Sequence, residues 1–383
     1  MTTDRMPPAA PRPLSIVIAA AGTGGHIYPG LALADALIAA APGTAVAIVG
    51  TPRGLESRLV PEAGYPLHLY PMVPLTGRTA ARLPLAASRS TRRARMLLRQ
   101  LQADVAVSMG GYGGVPLALA ARSLGVPLVV HEAHPVPGRA NALTARFATL
   151  AAYSFPAVAE RLPRGRSVLT GSPVFRPLDV PGRAALRARA RAERGLTDED
   201  FVVFIFGGSQ GAVTLNRLAL GCAERWRDRP RLRIRLKTGA AHLAGVSAQI
   251  TAEGLGARID AHDYIDSMSA EYAACDLVVS RAGAGTVTEL ALAGVPSILV
   301  PFAAAVDDHQ RHNAQTLVDA GAARMVLDAE ATAAVVAPLI EALQADPSAL
   351  AAMSTAAAGQ ARPGAAAHLA ELVLAIGRER RQR

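Results

Sequence analysis

Lysine is almost absent from this sequence. Lys237 is the only one, although lysine and arginine together number 40 against 30 acidic residues, for a net charge of +10. Arginine therefore carries the positive charge, which favours anionic surfaces such as lipid head groups or nucleic acid. Cysteine is nearly as scarce: Cys222 and Cys275 stand alone, too few for a disulfide framework or a Cys-based zinc site, as fits a reducing compartment. Aromatic residues make up 4% and are scattered, so there is no stacking platform for a nucleic acid strand. Long hydrophobic runs are missing too. The apolar run 14–21 breaks at Gly22-Thr23-Gly24-Gly25, short of the roughly 20 residues of a membrane span. Residues 1–13 hold Asp4 and four prolines, lack a signal peptide's apolar run, and read as a disordered lead-in. These absences suggest a cytosolic protein able to sit on a membrane surface.

What is present is alternation. Short apolar runs at 14–20, 45–49, 67–70, 104–108, 127–131 and 150–154 are separated by segments of helical spacing, the pattern of a parallel sheet wound with helices on both sides. The chain's 383 residues exceed one ordinary core. Pro173, Pro177 and Pro181 cluster before an arginine-rich stretch, 183–194, and the plan restarts with the apolar strand 201–206. The fold class is α/β, with two doubly wound domains facing across a cleft. The expected bounds are 14–175 for the first domain and 176–359 for the second, with 360–383, an amphipathic helix at 365–378 included, returning to the first.

Three glycine turns carry the chemistry. Gly22-Thr23-Gly24-Gly25-His26 is not a dinucleotide fingerprint: the third glycine position is Ile27 and no acidic residue closes the second strand, at Val49-Gly50-Thr51. It also lacks a P-loop's Gly-Lys-Ser/Thr ending. A helix running 28–40 is expected next, Pro29 falling in its first turn. His26 stands at that helix start, where the dipole favours neutral imidazole, suited to accepting a hydrogen bond or a proton; the plainer alternative is a cap on the turn. Gly207-Gly208-Ser209-Gln210-Gly211, between strand and helix, offers free N–H groups and the Ser209 hydroxyl to a diphosphate, or is a tight turn without ligand. In the stretch 276–313, the turn Arg281-Ala282-Gly283-Ala284-Gly285 precedes a helix from 286 to 293. Glu289, one helical turn past Thr286, suits the vicinal hydroxyls of a ribose, against the alternative of a solvated carboxylate. Asp307-Asp308-His309 does not make a metal site, because adjacent aspartates point apart and no partner ligand is in view.

Between residues 63 and 103 there is no acidic side chain, while Arg78, Arg82, Arg89, Arg92, Arg93, Arg95 and Arg99 alternate with Leu83, Leu85, Met96, Leu97 and Leu98. Such a segment docks on anionic lipid at roughly 1 kcal/mol per arginine, or is an ordinary solvated helix.

Taken together, these motifs resemble the MurG family of UDP-N-acetylglucosamine (UDP-GlcNAc) transferases, from residue 14 to about residue 370. The matching positions are Gly22–Gly25 with His26, Pro29-Gly30, Met109-Gly110-Gly111-Tyr112, His131-Glu132, the turn 207–211, Arg281 to Ala284 with Thr286 and Glu289, and Asp308-His309-Gln310 with Asn313. The resemblance implies a GT-B fold of two Rossmann-like domains and an inverting, metal-independent transfer that uses no cofactor. GlcNAc would pass from UDP-GlcNAc to lipid I, the undecaprenyl-diphosphate-linked MurNAc-pentapeptide, making lipid II for peptidoglycan on the cytoplasmic face of the membrane, without nucleic acid. It implies that Gly208, Ser209 and Gln210 hold the donor diphosphate, that Ala284 and Thr286 line the donor pocket, and that Glu289 takes the ribose. Ile265 would meet the uracil, and His309 and Gln310 the sugar hydroxyls. His26 would be the base, with Thr23, Gly24, Gly25 and Tyr112 towards the acceptor diphosphate. The basic apolar segment from Arg78 to Arg99 overlaps the family's membrane-association region.

Three stretches depart from the family. His-Glu-Gln-Asn reads His131-Glu132-Ala133-His134, losing two amides and leaving His134 on the acceptor side. Gly-Asn-Pro-Val-Arg reads Gly171-Ser172-Pro173-Val174-Phe175, with an arginine only at Arg176, displaced on the donor side. Ala303-Ala304-Ala305 stands where some relatives are polar. Rival readings are a UDP-GlcNAc 2-epimerase on the same fold, and a paralogue with another acceptor or with binding activity alone.

Overall fold

The computed structural model describes residues 12–52, 54–70, 83–175 and 183–383. Arg78, Arg82, Arg176, the lead-in through residue 11, and the side chains of Leu83 and Leu85 lie outside the described residues.

Two parallel sheets organise the chain. The first contains β1 (Ser15–Ala19), β2 (Ala45–Gly50), β3 (Leu67–Leu69), β4 (Val105–Ser108), β5 (Leu128–Glu132), β6 (Leu150–Tyr153) and β7 (Ser167–Leu169), in the order β3-β2-β1-β4-β5-β6-β7. The second contains β8 (Phe201–Phe206), β9 (Leu232–Lys237), β10 (Ile259–His262), β11 (Leu277–Ser280), β12 (Ser297–Leu299) and β13 (Ala323–Met325), in the order β10-β9-β8-β11-β12-β13. Both reverse direction beside their first strand, at β1/β4 and at β8/β11, and ligand crevices open beyond the strand ends at such switch points.

The first strand of each sheet is buried along its length and, Ser15 apart, apolar, because both faces are covered. In β1, Ile16 and Ile18 join the core beneath the C-terminal helix, while Val17 and Ala19 pack with Ala94, Leu98, Leu117 and Ala121 on the other side. In β8, Val203 and Ile205 face Leu215, Ala219 and Ile340, while Phe204 and Phe206 face Tyr272 and Leu290. This is the period-two alternation of a strand.

The C-terminal helix Ala365–Gln382 crosses back to the first sheet. Leu369, Ala370, Val373 and Leu374 share a core cluster with Ile16 and Ile18, and Arg381 donates to the buried Asp104 carboxylate at 2.6 Å. The arginine-rich helix Arg183–Glu193 lies against the helix Met268–Ala274 of the second sheet's domain: Arg191 donates to the Ala274 carbonyl at 2.8 Å and Arg187 to Asp276 at 2.6 Å.

Several expected boundaries move. The helix after β1 is Gly24–Ala40, so Gly24 and Gly25 are its first turn and Pro29 lies inside it, where its missing N–H costs one ladder bond. The helix carrying Glu289 is Ala284–Ala293, and the last helix runs on to Gln382. β7 and β13 were not foreseen; at three residues each, on sheet edges, they are too short to show a period.

Candidate active site

The first domain's side of the site starts at Thr23, whose carbonyl accepts the N–H groups of His26 and Ile27 as the helix begins. The half-buried His26 ring lies against Gly110 and Gly111: a Cβ on either would come within 3.2 Å of it. Both glycines have positive φ, 100° and 71°, so no other residue fits this wall without strain. Thr23 Oγ1 is 3.3 Å from His26 Nδ1. Burial, then the nearby His134, lower the His26 pKa to about 4 against the opposing pull of Glu132, so the ring is neutral at pH 7.

Two buried carboxylates hold the loops around it. Glu56 accepts the N–H groups of Gly22, at 3.2 Å, and Thr51, at 2.7 Å, joining the glycine turn to the end of β2. Glu132, 1% exposed at the end of β5, accepts from the His134 N–H at 2.9 Å, the Gly138 N–H at 3.1 Å and the Asn141 amide at 2.9 Å, and its Oε1 lies 3.0 Å from His134 Nδ1. Burial raises the Glu132 carboxyl, but His134 and Asn141 outweigh that and hold it below the usual range, ionised. His131 is fully buried with Nε2 facing the Gly171 carbonyl at 3.1 Å, and burial lowers its pKa.

In the second domain the turn 207–211 closes on the end of β9. A Cβ on Gly211 would collide with the Thr238 carbonyl oxygen, and one on Gly239 with that of Gln210. Lys237 donates to the Gly208 carbonyl at 3.1 Å and lies 5.9 Å from the Tyr264 ring centroid. Glu289 accepts from the Tyr272 hydroxyl at 2.7 Å. Burial raises its carboxyl, with Tyr272 and Lys237 opposing; burial also lowers the Lys237 ammonium, with Glu289 opposing. Lys237 and the half-buried Glu289 thus feel each other's charge beside the turn 207–211. The Gln310 carbonyl oxygen accepts from Ala282 N–H at 3.2 Å and Phe302 N–H at 3.0 Å, and Asn313 donates to the Ala282 carbonyl at 3.0 Å. Asp307 and Asp308 both have positive φ, 52° and 51°, a strained entry to the helix His309–Asp319. The two halves meet where the His134 and His309 rings stand edge to face, 5.1 Å apart.

Such an arrangement can hold a diphosphate on backbone N–H groups in one domain and offer imidazoles to a hydroxyl from the other. The glycosyltransferase family 28 N-terminal domain profile matches residues 16–153, and the family's C-terminal domain profile matches 202–369. The UDP-N-acetylglucosamine--N-acetylmuramyl-(pentapeptide) pyrophosphoryl-undecaprenol N-acetylglucosamine transferase of Mycolicibacterium paratuberculosis is 40% identical over 389 residues, covering 96% of this chain and 90% of that one. The protein of the same name from Mycobacterium leprae is 40% identical over 382 residues, covering 96% and 90%. The crystal structure of Acinetobacter baumannii MurG superposes with a TM-score of 0.77 at 30% identity, covering 95% of this chain and 100% of that one. The chain belongs to the MurG transferases of glycosyltransferase family 28. A UDP-GlcNAc 2-epimerase from Neisseria meningitidis, TM-score 0.64 at 14% identity and covering 94% of this chain and 100% of that one, shares the fold alone.

Within this MurG-family fold, Thr23, Gly24, Gly25, His26 and His134 gather at the strand ends of the first sheet, and Tyr112 is exposed beside Gly111. Gly208, Ser209 and Gln210 form the turn before the helix Val213–Arg225, and Ser209 and Gln210 are exposed. Ala284 and Thr286 sit in the first turn of the Glu289 helix. Ile265 is mostly buried, in one cluster with Phe206 and Tyr272. Gln310 has its oxygen committed to backbone, which leaves only its NH2 group for a sugar. Phe175, in place of the family's arginine, stacks on Tyr28 at 5.9 Å. The residues not foreseen are Glu56, Tyr272, Asn141 and Lys237. Lys237 alone had left a signal: the single lysine of an arginine-rich chain closes a strand beside the glycine turn.

Proposed function

We propose that this chain moves GlcNAc from UDP-GlcNAc to the 4-hydroxyl of MurNAc in lipid I, with inversion, releasing UDP and forming lipid II. The observation that carries this reading is the opposition, across one cleft, of a glycine turn beside the half-buried Glu289 and the clustered imidazoles of His26 and His134. The N–H groups at 207–211 and the helix start behind them take the diphosphate and steady the charge that develops as UDP leaves. Glu289, already bonded to Tyr272, accepts from the ribose hydroxyls, and the Gln310 amide donates towards the sugar. The acceptor enters over Gly24, Gly25 and Tyr112, and an imidazole of the first domain takes its proton. Release of UDP from labelled donor with a short-chain lipid I analogue is the expected result. No product where a reference transferase turns over sinks the reading, and UDP-ManNAc formed without acceptor would replace it with isomerase chemistry.

The membrane part of the proposal rests on the helix Leu83–Gln100. Ser90, Ala94 and Leu98 form its buried stripe, while Arg89, Arg92, Arg93, Arg99 and Met96, 55% exposed, face outwards. Among the described residues no helix is long and apolar enough to cross a membrane. A peripheral protein lying on the anionic cytoplasmic leaflet through this face fits the acceptor's lipid tail. Replacing Arg92 and Arg93 with glutamine is expected to cut co-sedimentation with anionic vesicles severalfold; unchanged binding removes this helix from the docking surface.

A further inference from the structure

We propose that His134, held by the buried Glu132, is the group that takes the proton from the acceptor hydroxyl in this chain; the inference rests on the transferase reading above. Both oxygens of Glu132 are filled with donors: the backbone N–H and Nδ1 of His134 on one, Gly138 and Asn141 on the other. An ionised carboxylate only accepts, so His134 must carry its hydrogen on Nδ1. That leaves the lone pair on Nε2, on the far side of the ring from Glu132. The ring is 23% exposed and meets His309 of the other domain, so it stands where the two substrates come together.

His26 is built differently. The partner of its Nδ1 is the neutral Thr23 hydroxyl at 3.3 Å, and the ring sits in the first turn of a helix, whose positive end disfavours a proton. Burial lowers its proton affinity further. Its geometry suits a hydrogen bond that orients the acceptor. The charged and titratable groups facing His134 are Glu132 and His131 from β5, His26 from the helix Gly24–Ala40, and His309 from the helix His309–Asp319. Of these, only Glu132 stabilises a proton arriving on His134. Carboxylate-held imidazole is the standard way to raise a ring's basicity and fix its tautomer. Here it arises where the family pattern has an amide.

In the step itself the acceptor O–H bond breaks and its proton passes to Nε2. The oxygen's electron pair forms the bond to the anomeric carbon, and the carbon–oxygen bond to the diphosphate breaks, its pair leaving with UDP.

The test uses the full-length protein with UDP-GlcNAc and a short-chain lipid I analogue. His134→Ala is expected to lower kcat by about a hundredfold or more, to bind UDP within twofold of wild type, to lose the acid limb of kcat/KM against pH, and to recover turnover with added imidazole. Glu132→Gln should move that limb to lower pH. His26→Asn should raise the acceptor KM and keep the limb. A His134→Ala enzyme within threefold of wild type with its limb intact overturns the proposal, as does loss of the limb in His26→Asn. A wild-type chain inert towards lipid I refutes the transferase reading instead. The dyad is then decided by nitrogen NMR of the ring: the Nδ1–H tautomer upholds it and the Nε2–H tautomer overturns it.

Discussion

The two halves of the cleft reach similar ends by different means. Each opens at a switch point with a glycine turn and a helix start, yet what surrounds the turns differs. In the second domain the groups proposed to meet the donor come from short continuous stretches: the turn 207–211 and the first turns of the helix Ala284–Ala293. In the first domain the turn and the loop after β5 are held by carboxylates, Glu56 and Glu132, that are themselves buried with their oxygens taken up by protein donors. On the proposed reading, donor recognition is therefore local and mostly backbone, while acceptor chemistry depends on tertiary clamps around imidazoles. A diphosphate needs N–H groups and room; a proton transfer needs one ring nitrogen aimed correctly, which takes more support.

Removing each half's support separates the two most sharply. Gly211→Ala forces a Cβ against the Thr238 carbonyl at a φ of 78°, and UDP binding should disappear along with about 3 kcal/mol or more of stability. Glu132→Ala removes one of the two acceptors of the buried Asn141 amide, at about 1–3 kcal/mol, together with the acceptor of the His134 and Gly138 N–H groups. It should cost similar stability and abolish turnover, yet keep UDP binding at permissive temperature. Calorimetric titration with UDP alongside thermal unfolding separates the two. If Glu132→Ala loses UDP binding as completely as Gly211→Ala, the halves are not independent.

A milder probe acts within the donor half. Glu289→Gln keeps the side chain's shape and can still accept from the Tyr272 hydroxyl, but it removes the charge facing Lys237. A charge-assisted bond to a ribose hydroxyl contributes about 1.5–3 kcal/mol, so the dissociation constant for UDP-GlcNAc should rise about tenfold or more. The KM for the acceptor should stay within twofold. An unchanged donor affinity would take Glu289 off the ribose.

How much was readable beforehand follows the same division. Both doubly wound sheets were legible because β1 and β8 are short, largely apolar runs leading into glycine turns, and the turn 207–211 was legible because its residues are adjacent in the chain. The family's residues could be placed wherever the local string survived. Glu56 could not be found, since it is one of many glutamates until folding sets it against Gly22, 34 residues away. Tyr272 meets Glu289 only through the packing of two helices, and Lys237 comes near it only through the order of the strands. Gln310 was expected on the sugar, yet much of what it does is internal, tying Ala282 to Phe302. His134 was visible only as a departure, and its orientation by Glu132 needed the loop after β5.

The smallest expected effect, and the one that most finely separates the halves, is the response of stability to acid. His26 has a folded pKa of about 4 against 6.5 for a free histidine, and His131 is lowered as well. Between those two values the unfolded chain binds a proton that the folded His26 refuses, so stability falls as pH drops from 6.5 to 4. Because one edge of the ring reaches the cleft, His26 should account for about 1–2 kcal/mol of that loss, less than the full shift would give. Glu289 has the opposite sign. Its carboxyl is raised in the folded state, so its contribution is fully present below the ordinary 4.5 and declines as pH rises through the folded value. Glu132, held low, acts in a third window: its contribution is present above 4.5 and is lost as pH falls through its own lowered value. Denaturant unfolding at half-unit steps should show His26→Asn flattening the curve between pH 6.5 and 4, and Glu289→Gln steepening it at the acid end of that range, where the loss of a stabilising protonation is felt. Identical slopes in wild type and both variants would mean that neither half of the cleft carries the buried, opposed titrations on which the comparison depends.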